Sequence, residues 1–141
     1  MATHFDNYAQ AGNAFLKKVA GELGSPDLNH AFRVVQAVFY ALRDRITPEE
    51  SMHLISELPM ALKAVYVNNW EIPDKPEKYE TKAEFLGEVH RSIITADVDF
   101  GTSAEDEVQA VFRVLKNYIS EGEINHVKGQ LPREIAELID A

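Results

Sequence analysis

Two stretches decide the fold: Gln36–Tyr66 (QAVFYALRDRITPEESMHLISELPMALKAVY) and Gln109–Ile139 (QAVFRVLKNYISEGEINHVKGQLPREIAELI). They align without gaps and share ten of 31 positions, among them Phe39/Phe112, Leu42/Leu115, Glu50/Glu123, His53/His126 and Pro59/Pro132. Roughly two or three identities would arise by chance at ordinary residue frequencies. Upstream, Phe15-Leu16 with Val19 answers Phe85-Leu86 with Val89 once three extra residues are allowed in the second first loop. The chain therefore reads as a tandem duplication, and the search for repeats precedes any reading of single elements.

Each copy predicts four helices. Phe15, Leu16, Val19 and Leu23 recur at helical spacing before a stop at Gly24. Ser25-Pro26-Asp27 reads as a cap with proline in the first turn. The next helix lines up Val35, Val38, Phe39, Leu42 and Ile46, with Phe32, Val34 and Ala41 widening the stripe. So broad an apolar face predicts the central helix. Its counterpart carries Val108, Val111, Phe112, Leu115 and Ile119. Thr47-Pro48-Glu49-Glu50, Thr81-Lys82-Ala83-Glu84 and Ser120-Glu121-Gly122-Glu123 fit the capping box, a hydroxyl followed three residues later by glutamate. Leu54, Ile55 and Leu58, or Ile124, Val127 and Leu131, give a short third helix. Pro59 and Pro132 end it and open a fourth. No strand alternation occurs. The fold class is all-α: about eight helices in two tandem four-helix pseudo-repeats sharing a core, with repeats at 1–69 and 82–141 and a connector at 70–81. Trp70, Ile72 and Tyr79 are expected to pin that connector to the body.

The 141 residues carry no cysteine, which excludes disulfides, thiolate metal sites and a thiol nucleophile. Net charge is −9, and the imbalance lies in residues 71–141, with 16 acids against 8 bases. That opposes attraction to phosphate backbones and anionic lipid. The start lacks a basic and apolar signal segment, and no apolar run reaches the ~18–20 residues of a membrane helix. The expected location is the cytoplasm.

A Phe-Leu helix, a central helix ending Leu-x-x-x-Ile-[Ser/Thr], a Glu-rich cap, a short helix and a Leu-Pro step resemble the bacterial domain of unknown function 2267. Here they are Phe15-Leu16, Leu42 to Thr47, Glu49-Glu50 and Leu58-Pro59, repeated at Phe85-Leu86, Leu115 to Ser120, Gly122-Glu123 and Leu131-Pro132. Trp70-Glu71-Ile72-Pro73 is similar to that family's bridge between copies. The resemblance implies a fold over essentially the whole chain and brings no activity, substrate or catalytic residue.

The sharpest chemical pattern is Glu50-x-x-His53 with Glu123-x-x-His126. A Glu and a His three apart share a helix face, and paired motifs of this kind hold metals in carboxylate bundles. Glu50, His53, Glu123 and His126 are thus candidate metal ligands, against a reading in which the glutamates serve only as caps. Glu57 and Gln130 lie on the same flank. His4, His30 and His90 read as surface or satisfied boundary residues. Asp97-Val98-Asp99-Phe100-Gly101 lacks the ligand series of a calcium loop. The acids Glu105, Asp106 and Glu107 read as complements to a helix dipole. No serine lies in a nucleophile elbow and no glycine loop cradles phosphate, so no catalytic residue or cofactor is expected. The leading expectation is a non-enzymatic cytoplasmic helical protein acting through protein contacts or self-association. Metal binding through the repeated motifs is the alternative. Nucleic-acid binding through Lys17, Lys18, Arg33, Arg43, Arg45 and Lys63 comes second to it.

Overall fold

The computed structural model describes residues 4–72, 77–93 and 103–141, and within them eight helices and no strand. In chain order they are α1 (Asp6–Leu23), α2 (Leu28–Arg45), α3 (Pro48–Glu57), α4 (Met60–Val67), α5 (Lys82–Ile93), α6 (Ala104–Leu115), α7 (Glu121–Gly129) and α8 (Arg133–Asp140). The fold is all-α, as the 3.6-residue period of the apolar positions requires. Asp97-Val98-Asp99-Phe100-Gly101 lies outside the described residues.

The helices begin and end for local reasons. Gly24, at φ 70°, turns the chain after α1, a left-handed conformation that glycine adopts without a Cβ clash. The cap of α2 is Asp27, whose carboxylate accepts from the backbone N–H of Asn29 and His30; Pro26 precedes the helix instead of opening it. Pro59 and Pro132 likewise stand one residue outside α4 and α8, their fixed φ leading the chain into each helix.

Helices α2 and α6 form the centre. Helix α2 touches α1, α4, α5 and α6, while α6 touches α1, α2, α5 and α8. Helix α1 lies on both central helices and carries α4; α5 lies on both and carries α8. Away from this stack, α3 faces α7. The anticipated α2 stripe is fully buried at Val35, Val38, Phe39, Leu42 and Ile46, but Phe32 is not part of it: its ring is 38% exposed. One continuous cluster draws side chains from all eight helices, from Phe15 in α1 to Ile139 in α8, so the core is shared between the two halves of the chain.

The connector is held by Trp70 and Tyr79, not by Ile72, which is 59% exposed. Trp70 meets Tyr66 edge-on, and Tyr79 meets Phe85 in the same way. Arg43 lies over the Tyr40 ring at 3.9 Å and donates to the carbonyls of Tyr66 (2.7 Å) and Asn68 (2.9 Å), closing the end of α4. Arg45 donates to the Tyr79 carbonyl, and Glu77 N–H to the Asp44 carbonyl. A second polar tie crosses the core where His30 of α2 meets Glu107 of α6 at 3.0 Å, both buried. Glu107 therefore pairs with an imidazole and does more than complement a helix end. His4 and His90 are exposed.

Candidate metal centre

The seam between α3 and α7 is assembled from the helix starts that the sequence marks. Thr47 Oγ1 accepts from Glu50 N–H and Ser120 Oγ accepts from Glu123 N–H, each at 3.2 Å, so both hydroxyl caps form. The reciprocal half of each capping box does not. Thr47 N–H donates to Gln130 Oε1 (2.9 Å), and Ser120 N–H donates to Glu57 Oε1 (2.7 Å), with Ser120 Oγ bonded to Glu57 Oε2 (3.2 Å). The residue at the end of each short helix thus caps the start of the other across the seam. The expectation that capping accounts for Glu50 and Glu123 is overturned: their carboxylates are released from it.

Those carboxylates turn inward. Glu50 is 8% exposed and Glu123 5%, and ligand atoms of Glu50, His53 and Glu123 lie within 4.8 Å of one another. Gln130 Nε2 donates to Glu50 Oε1 (3.3 Å), while Glu50 Oε2 and Glu123 Oε2 are buried without a hydrogen-bond partner. The imidazoles border the pair from the solvent side: His53 Nδ1 is 3.7 Å from Glu50 Oε2, and His126 Nδ1 is 3.8 Å from Glu123 Oε1. The structure therefore brings Glu50, His53 and Glu123 into one cluster and sets His126 at its edge.

Burial pushes the Glu123 carboxyl up to about 8, first by desolvation, then by the close approach of the Glu50 carboxyl and the charges of Glu50 and Glu57. Two carboxylates taken out of water side by side repel, and a proton or a cation between them relieves the repulsion. Chemically the arrangement offers buried carboxylate oxygens backed by imidazole nitrogens at a solvent edge, a donor set suited to a divalent ion. Sequence spacing places Glu50 and His53 on one face, but the meeting of that face with Glu123 depends on how α3 packs on α7. Glu57 and Gln130, on the flank that the sequence gives them, are the signal of this meeting: their matched positions put a second acceptor within reach of each opposite cap.

An all-α protein with a carboxylate–imidazole cluster closing a seam between two short helices is the class that this geometry defines. The chain belongs to the family described as uncharacterized conserved protein (DUF2267), which matches residues 12–138, nearly its full length. No curated protein matches the sequence. No helix among the described residues is long and apolar enough to cross a membrane.

Proposed function

We propose that this chain is a metal-binding helical protein whose two Glu-x-x-His motifs supply the ligands. One observation carries the reading: Glu50 and Glu123, buried and facing one another, each keep an oxygen without a hydrogen-bond donor beside the His53 imidazole. Calorimetric titration of chelator-treated protein with Zn2+ or Mn2+ tests it. Saturable binding is expected in the wild type, with loss in Glu50→Gln/Glu123→Gln and marked weakening in His53→Ala/His126→Ala. Binding unchanged in both double variants would end the reading.

Protein contact, the leading expectation from the sequence, rests on a different feature. An apolar groove of about 200 Å3 runs between α1, α2 and α4, lined by Gly12, Leu16, Phe32, Ala61 and Val65 among others. If it serves self-association, sedimentation will show a concentration-dependent dimer that Phe32→Glu abolishes; a monomer throughout removes that form of contact. Nucleic-acid binding draws little support, because four of the six bases it would need have internal partners. Arg43, Arg45 and Lys63 bond backbone carbonyls, and Lys18 bonds the Tyr118 hydroxyl.

A further inference from the structure

We infer that the α3–α7 seam takes one divalent transition ion per chain, of the class that accepts imidazole nitrogen together with carboxylate oxygen, and that Gln130 fixes that number. The inference rests on the metal-binding reading above and goes beyond it in stoichiometry, ion class and a positioning residue.

The number follows from counting donors. Helical bundles that hold two metals join a pair of Glu-x-x-His motifs to a further glutamate from each of two other helices, four carboxylates and two imidazoles in all. Among the described residues, the side chains at the seam that could complete such a set are Glu57 and Gln130, at the ends of the two short helices. Both oxygens of Glu57 are engaged with Ser120. Gln130 is an amide, with its oxygen on Thr47 N–H and its nitrogen on Glu50 Oε1. What remains are the free oxygens of Glu50 and Glu123 and the imidazole of His53, which cluster within 4.8 Å, with His126 at their edge as a fourth donor: one ion's complement.

Charge leads to the same count. Two ionised carboxylates and two neutral imidazoles neutralise one doubly charged ion, whereas two such ions would leave excess charge beside a buried seam, which is costly. Gln130 contributes twice. It withholds the extra negative charge that would hold a second ion, and by occupying Glu50 Oε1 it leaves Oε2 as the unpartnered oxygen, 3.7 Å from His53 Nδ1. An outer contact of that kind orients a ligand without touching the metal. The imidazoles select among ions, since Mg2+ and Ca2+ favour all-oxygen shells.

Native mass spectrometry of the chelator-treated full chain, titrated with Zn2+, reads the stoichiometry directly. One Zn2+ per chain is expected, and a tenfold excess of Mg2+ is expected not to displace it. Gln130→Glu, which supplies a further carboxylate, is expected to take two. Gln130→Met, which keeps the bulk and loses both hydrogen bonds, is expected to stay at one ion with affinity lowered on the order of 10–100-fold. Two ions on the wild type, or displacement by Mg2+, would overturn the inference while leaving the metal reading intact. A Gln130→Glu chain that folds, by its far-ultraviolet dichroism, yet stays at one ion would overturn the role of Gln130. No Zn2+ on the wild type would sink the metal reading itself.

Discussion

Glu123 and Gly12 show how much can depend on a single side chain. With its carboxyl at about 8 when folded, against an ordinary value of 4.5, Glu123 binds its proton more tightly in the native than in the unfolded chain. The stability linked to that proton is complete below the unfolded value and is lost as pH rises through the folded one. In chelator-treated protein the thermal midpoint should therefore fall between about pH 5 and pH 8, and Glu123→Gln should flatten the fall. An equal slope in the variant would show that another group is responsible. Gly12 is constrained by space. A Cβ built there would sit 2.7 Å from the Ala61 Cβ, so α1 and α4 can cross this closely only because the position is glycine. Gly12→Ala is expected to cost about 1–3 kcal/mol, read from the urea midpoint.

At the scale of the element, periodicity and proline make most of the helices legible, and capping accounts for their starts. Val35, Val38, Phe39 and Leu42 fall on one face because 3.6 residues make a turn, and that face is fully buried. The short helices are also visible, since Thr47 and Ser120 mark their starts and Pro59 and Pro132 lie just beyond their ends. Hidden from the sequence is the partner of each capping glutamate. A capping box is a local rule, and here Gln130 and Glu57 replace its second half from another helix, an event that no spacing within α3 or α7 encodes. Thr47→Ala and Ser120→Ala should each lower stability by about 1 kcal/mol in equilibrium unfolding, as lost helix caps do. Ser120→Ala should be the more damaging, because its hydroxyl also holds Glu57. The exposure of Phe32 was equally illegible: it sits beside the apolar stripe of α2, yet neither α1 nor α4 closes over it.

Across the whole molecule, the polar ties join parts distant in sequence. His30 and Glu107 link the two central helices inside the core. His30→Leu would leave Glu107 buried without this partner, and breaking such a pair costs about 3–5 kcal/mol, to be checked by denaturant titration. His30→Leu/Glu107→Leu should recover most of that loss, as replacement of a buried pair by apolar groups often does. Metal loading should act on the same scale. With free ion at about 100 times its dissociation constant, linkage adds roughly 2.7 kcal/mol to the folded state, visible as a rise in thermal midpoint that Glu50→Gln/Glu123→Gln lacks. Helix α1 rests on α6 as well as α2, and α5 on α2 as well as α6. A polypeptide nicked within the connector would thus yield fragments that each present a bare hydrophobic flank shaped to the other. Produced separately they should be sticky and poorly soluble; mixed, they should anneal into a native-like heterodimer, making the protein a natural candidate for split-fragment complementation.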